Sequence, residues 1–325
     1  MHPAFSVIFL TTLIGVGQGL FLALFTGQIY ALARLVPLQD SVHFYAYGSA
    51  LSLAFLMLGL LASFFHLGRP ERAWRSATKW RTSWLAREVI VLPLVMGLIG
   101  LYGLAHWMGF TKPLFTISNV LPVDLTLLLG LAATGATFAL FVCTGMIYAS
   151  IKFIREWASP LTLLNFTFMG GASGFVLAAL FSLFVAPDLI KMYGYWAIIL
   201  TFSALVLRTL SLWRNARGTP KSTIQSAIGI RHPKIVQKST GAMGGSFNTK
   251  EFNSGSTPKR IRQAKWSFIA LVFVLPLIFM TIALSWHSAP LLALSFLIQM
   301  AGLIIERWTF FADATHPQNL YYQSM

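Results

Sequence analysis

The feature that most constrains this chain is its series of long apolar runs. A helix needs roughly 18–20 apolar residues to cross a bilayer. Eight segments meet that length, at about 5–33, 42–66, 87–108, 123–151, 160–186, 193–213, 266–287 and 290–312. No water is available in the bilayer to satisfy backbone groups, so such runs must fold as helices. Charged residues make up 10% of the chain and hydrophobic ones 56%. The sequence therefore predicts an all-α polytopic membrane protein, a bundle of eight transmembrane helices forming a single domain over residues 1–325. The first apolar run precedes any Lys or Arg up to Arg34 and is too long for the apolar core of a signal peptide. "GVGQG" (15–19) and "MGGASG" (169–174) offer small residues for close helix packing. Pro93 and Pro276 fall inside spans, where neighbouring helices compensate for a missing N–H.

The net charge of +15 does not point to nucleic acid, because it lies in loops between spans. Nineteen of the 24 Lys and Arg residues fall on the side of the N-terminus and three on the other. The positive-inside rule then expects both termini in the cytoplasm and the chain in the inner membrane. Much of the charge sits in 214–265, which reads as a long basic cytoplasmic loop between the sixth and seventh helices. Its segment 241–260 is rich in Gly, Ser, Thr and Asn and reads either as a linker or as a stretch that orders on a soluble partner.

Ionisable groups at membrane depth are costly, and each is a functional candidate. His66 closes the second span and Glu88 opens the third, on the same side. Tyr148 near the end of the fourth span, Asn165 near the start of the fifth, and Glu306 and Arg307 in the last share that depth. Five helices thus bring donors and acceptors to one level, as a redox or proton-transfer pocket requires. Each residue also has a plainer reading. A histidine at a helix mouth forms interfacial hydrogen bonds, Glu88 favours a helix dipole, and Tyr148 fits an aromatic belt. Glu306 and Arg307 are neighbours that point about 100° apart and need not pair. The single cysteine, Cys143, cannot hold an iron–sulfur cluster, which takes about four ligands. Bound haem is disfavoured because His66 has no histidine at its level; His43, His106 and His287 lie near the far ends of helices. No metal site is expected in this chain. A secondary transporter would place its polar residues near the midplane between repeats, whereas these gather at one surface.

The stretches "ASFFHLGRPERAWR" (62–75), "SWLARE" (83–88), "MIYASI" (146–151), "FMGGASG" (168–174) and "AGLIIERWTFF" (301–311) resemble the membrane anchor subunits of dimethyl sulfoxide reductases. The resemblance covers almost the whole chain. It implies a quinone, ubiquinone or menaquinone, as bound substrate, and no redox cofactor in this chain. It also implies two partners, a four-cluster iron–sulfur subunit and a molybdopterin catalytic subunit. By the same resemblance His66 corresponds to the family's quinol-site histidine and Glu88 to its functional glutamate. Tyr148 and Arg307 correspond to a tyrosine and an arginine of the matching spans. The expected quinone-binding set is His66, Arg69, Tyr148, Asn165 and Arg307, with His66 and Glu88 handling protons. Arg72, Arg75, Arg81 and Arg87 are expected to dock the partner.

Two departures bear on the substrate. The loop after His66 is more basic than in the prototype reductase, and 214–265 is far longer. The prototype holds its catalytic subunits outside the cytoplasm, whereas the charge count here puts the histidine's side within it. That arrangement, with the "RHPK…GGSFNT" pattern (231–234 and 244–249), is similar to the anchors of sulfite:quinone oxidoreductases. The expected function is quinone-linked sulfite oxidation. The alternative is a dimethyl sulfoxide or related reductase that consumes menaquinol.

Overall fold

The computed structural model describes residues 3–117, 121–218, 223–235, 256–286 and 288–315. Among them are eight helical segments long and apolar enough to cross a membrane. They are α1 (Phe5–Leu32), α2 (Tyr47–Phe64), α3 (Trp84–Trp107), α4 (Leu125–Ala149), α5 (Pro160–Val185), α6 (Ile190–Arg217), a compound seventh span and α10 (Ala289–Ala312). Between α6 and the seventh span lies the short α7 (Ile224–Ile228). The seventh span joins α8 (Pro258–Ile269) to α9 (Leu275–Trp286) through a wider π-helical turn, Ala270–Val274. A one-turn π segment, Ser41–Ala46, also leads into α2. One short hairpin departs from the all-helical expectation: β1 (Phe115–Ile117) pairs antiparallel with β2 (Leu121–Val123) ahead of α4.

Helix ends follow local chemistry. Ser83, Asp124 and Ser159 cap α3, α4 and α5 by accepting from backbone N–H groups of Ala86, Leu127 and Leu161. Pro160 takes the first position of α5, where its missing N–H costs nothing. Inside the seventh span, Pro276 has no N–H to give the carbonyl four residues earlier, that of Val272. Gln299 of α10 donates to this carbonyl instead, at 3.2 Å.

The basic connection between α6 and the seventh span is shorter than expected. Helix continues to Arg217 on one side and resumes at Pro258 on the other. Segment 236–255, including most of the Gly/Ser-rich stretch, lies outside the described residues, as does His287.

Helices α1 and α5 occupy the centre, each with 67% of its membrane window buried against 28% for the window containing α2. The two glycine stretches meet each other there. A Cβ on Gly19 would sit 2.1 Å from the Gly170 carbonyl oxygen, and one on Gly174 would sit 2.1 Å from the Gly19 carbonyl carbon. The backbones touch, as small residues allow in membrane helix pairs. At the end of the bundle remote from His66, His106 Nδ1 lies 2.8 Å from Ser41 Oγ. Nearby, the Tyr102 hydroxyl donates to Gln28, Gln28 to Thr126 and Thr126 to Asp124, which ties α3, α1 and α4 together.

Backbone contact at this crossing leaves no space for a methyl group. Gly19→Ala should lower the thermal midpoint of the detergent-purified protein, by about 1–3 kcal/mol of stability. Gly97→Ala, where a Cβ meets nothing within 4 Å, should leave it unchanged. Equal midpoints for the two variants would rule out the crossing as a packing determinant.

Candidate functional site

The stretch that follows α2 carries two breakers, Gly68 and Pro70. Pro70 disfavours the helical region for the residue before it, and Arg69 lies outside that region (φ −144°, ψ 81°). The helix stops at Phe64, His66 stands just beyond it, and a 3-10 helix, Pro70–Lys79, starts at the proline and packs against α3. The Ser83 cap then sets the start of α3 so that Glu88 falls in its second turn.

These turns enclose a cavity of about 440 Å³, within the range of small-molecule sites. Its polar groups are His66, Arg69, Arg72, Glu88, Ser63 and Ser76, and its walls come from Leu10 and Ile14 of α1, Leu60 of α2, and Val89, Leu92 and Pro93 of α3. Pro93 has no N–H for the Val89 carbonyl, so this wall also carries a backbone acceptor without its helical partner. Partial burial lowers the pKa of His66 below its ordinary value, since desolvation disfavours the imidazolium. The neutral ring has one donor and one acceptor nitrogen.

Of the expected quinone-binding residues, His66 and Arg69 share this cavity with Glu88. Tyr148, Asn165 and Arg307 do not line it. Tyr148 instead stacks on Phe166 at 5.5 Å and meets Trp157, Phe310 and Phe311 edge-on. Asn165 is buried, and its Oδ1 has no partner among the described residues. Arg307 lies 3.9 Å above the Phe166 ring.

Arg307 is also one arm of a buried ion cluster. Glu306 is fully buried, 2.8 Å from Arg208 of α6 and 3.2 Å from Arg307. The neighbours on α10 thus do pair, because the long arginine side chain reaches around its own helix. Arg208 joins from another helix, over the Phe268 ring at 5.4 Å.

The four arginines expected to dock a partner divide similarly. Arg72 lines the cavity. Arg87 staples the loop to α3: it covers the Trp84 ring at 4.1 Å and donates to the carbonyls of Trp80 and Arg81, each at 2.9 Å. Arg75 and Arg81 remain on the outer face beside the exposed rings of Trp74 and Trp80.

Thr144 was not among the sequence candidates, yet it donates its hydroxyl to Glu88 Oε1. A signal was present, because Thr144 stands one turn before Tyr148 and shares its helix face. Arg208 was not among them either, although its depth in α6 marked it as needing an acidic partner.

Among the described residues, no cluster of three or more His, Cys, Asp or Glu side chains has the geometry to hold a metal ion. The cavity's donor set suits a neutral, carbonyl-bearing, lipid-soluble molecule: N–H donors and a carboxyl group at one end, hydrocarbon at the other.

Comparison with known proteins adds two findings. The pattern of the family described as DMSO reductase anchor subunit (DmsC) matches residues 1–322. The chain is also similar to a sulfite dehydrogenase subunit of Allochromatium vinosum, with 56% identity over 325 residues covering all of both chains.

Removing the acid from the buried cluster would leave two arginines facing each other without a counter-charge. Glu306→Gln should destabilise the protein by about 3–5 kcal/mol, read as a fall in thermal midpoint and in the yield of folded protein. An unchanged midpoint would mean that the cluster is solvated.

Proposed function

Because the chain belongs to the DMSO reductase anchor subunit family, and so is a membrane anchor of a molybdoenzyme complex, we propose that it is the quinone-reactive subunit of a sulfite-oxidising complex. One observation carries the reading. His66, Arg69, Arg72 and Glu88 line a single cavity whose remaining wall, two serines apart, is apolar, at the end of the bundle where the basic turn lies. The likeness to a sulfite dehydrogenase subunit supports the direction of electron flow, as does the excess of cations on that side.

In this reading the molybdopterin subunit oxidises sulfite with water to sulfate, releasing two electrons and two protons. The iron–sulfur subunit hands the electrons singly to quinone, which takes up two protons to become quinol. This chain supplies binding and protons. His66 donates a hydrogen bond to one quinone carbonyl and passes on a proton when it is charged. Arg69 and Arg72 stabilise negative charge that develops on the quinone oxygens. Glu88 accepts protons from the aqueous side and returns them to the cavity. Arg75 and Arg81, with Trp74 and Trp80, form the face for the iron–sulfur subunit. Both soluble subunits then lie on the cytoplasmic side of the inner membrane. Protons taken up on the side where the electrons originate make the reaction non-electrogenic.

The purified complex should reduce a short-chain quinone with sulfite. His66→Ala should lower that turnover at least a hundredfold while dye-linked sulfite oxidation persists. A His66→Ala complex with full quinone activity refutes the assignment. Quinol-driven sulfoxide reduction without sulfite activity would keep the quinone site and reverse the direction.

The pH dependence has a definite sign. Quinone reduction consumes protons and His66 donates when charged, so turnover should rise as pH falls through its titration. The lowered pKa puts that limb below the ordinary histidine value of about 6.5. His66→Gln should abolish the limb, and a limb that survives the substitution belongs to another group.

A further inference from the structure

Glu88 is held on the side away from the cavity as well. Its Oε1 accepts from Thr144, and Thr144 also lines a small pocket between α1, α4, α5 and α10, of about 20 Å³. Six polar residues face it: Thr11, Thr12, Gln18, Thr144, Ser173 and Arg307. All six are less than one-tenth exposed. Three have satisfied themselves elsewhere: Thr11 on the carbonyls of Val7 and Ile8, Gln18 on that of Thr137, and Ser173 on that of Gly170. The Thr12 hydroxyl has no partner among the described residues. Arg307 forms an ion pair with Glu306 through Nε at 3.2 Å and donates from Nη2 to the Met169 sulfur, and it also lines the pocket.

A polar cavity needs only about 10–15 Å³ of this kind of space to hold one water, given two or more polar partners. This pocket offers the volume, an unpartnered buried hydroxyl, an arginine and a threonine already committed as a donor. We infer that it holds one ordered water, and that this water joins Arg307 to Glu88 through Thr144. Donor counting fixes the direction. Arg307 has only N–H groups to offer, so it donates to the water oxygen. The water donates to Thr144 Oγ1, and Thr144 donates its single hydrogen to Glu88 Oε1. Every bond points toward the carboxylate, and a chain aligned this way is strengthened by the cation at its far end.

The arrangement is a clamp and not a conduit. Arginine does not give up its proton in a protein, so no proton crosses the chain from that end. Glu88 is held at Oε1, which leaves Oε2 as the oxygen that exchanges its proton. Thr144 and Arg307 are then positioning residues that act on the quinone site without touching quinone. This assigns Arg307, which the cavity excludes, a role in the same chemistry. The kinetic part of the inference rests on the proposed quinone site, while the water and the hold on Glu88 do not.

The test uses the intact complex. Thr144→Val keeps the volume and removes the donor. It should lower kcat for sulfite-linked quinone reduction about tenfold or more, the scale of a lost hydrogen bond to a charged group. KM for the quinone and dye-linked turnover should not change, and Thr144→Ser should restore kcat. The infrared carboxyl band that disappears in Glu88→Gln should shift in Thr144→Val and hold its place in Thr144→Ser. If Thr144→Val does not fold, Thr144→Ala serves for both readouts. A cryo-EM map that resolves waters should show one between Thr144 and Arg307. A dry pocket, or a Glu88 band indifferent to Thr144, overturns the clamp even if quinone activity is as proposed. Full quinone turnover in Glu88→Gln removes the proposed role of Glu88, and the map and the band still decide the clamp.

Discussion

The contact between α1 and α5 is the constraint on which the other placements depend. Lipid offers no hydrophobic drive for two helices to associate, so close backbone approach is the main source of attraction between them. Gly15 and Gly19 against Gly170 and Gly174 allow that approach. Once the two axes are locked, the register of everything attached to them follows. Leu10 and Ile14 of α1 become one wall of the larger cavity. Thr11, Thr12 and Gln18 of the same helix line the small pocket together with Met169, Gly170 and Ser173 of α5. One helix thus serves two compartments from different faces, and Ile14 lines both.

Irregular backbone supports this scheme at defined points. A proline in a spanning helix frees one carbonyl, and the bilayer cannot satisfy it. The two in-span prolines are resolved differently. At Pro276 the freed Val272 carbonyl is taken by Gln299, a buried side chain of the packed neighbour. At Pro93 the freed position, Val89, lies in the wall of the cavity with His66 and Glu88. In the first case the proline is absorbed by packing; in the second it leaves a polar atom where a bound molecule or water can use it.

Much of this was readable in the sequence, for a physical reason. Hydrophobic length reports position along the membrane normal, and so do prolines and caps. The eight spans follow from such signals, and so does the end of the second within two residues of its expected limit at His66. Position around the bundle is different, because it depends on which helix packs on which. Tyr148, Asn165 and Arg307 do not line the cavity that His66, Arg69 and Glu88 share, and no periodicity in a single span could reveal that. The Arg208–Glu306–Arg307 cluster has the same character. Its members lie on two helices that the chain separates by some of its longest connections, and only packing brings them within ion-pair distance. The short hairpin before α4 was missed because each strand has only three residues, too few for an alternating pattern.

Local charge balance explains why the cluster and the cavity sit next to each other. Two arginines and one glutamate leave a buried net positive charge, and aromatic faces at Phe166 and Phe268 shield it without neutralising it. Glu88 is the nearby acid that the cluster does not consume, and Thr144 already fixes one of its oxygens. An acid held in this way keeps one oxygen constant while the other is left to change partner. The exposed arginines of the basic turn act over a different range. They face water, where salt screens them within about 8–10 Å, so they influence what approaches the mouth. The buried cluster is screened far less and so influences what happens inside. Arg69 and Arg72 belong to both settings, because they stand in the turn and line the cavity together. A partner docking on that turn would therefore alter the charge around the cavity directly, through two side chains.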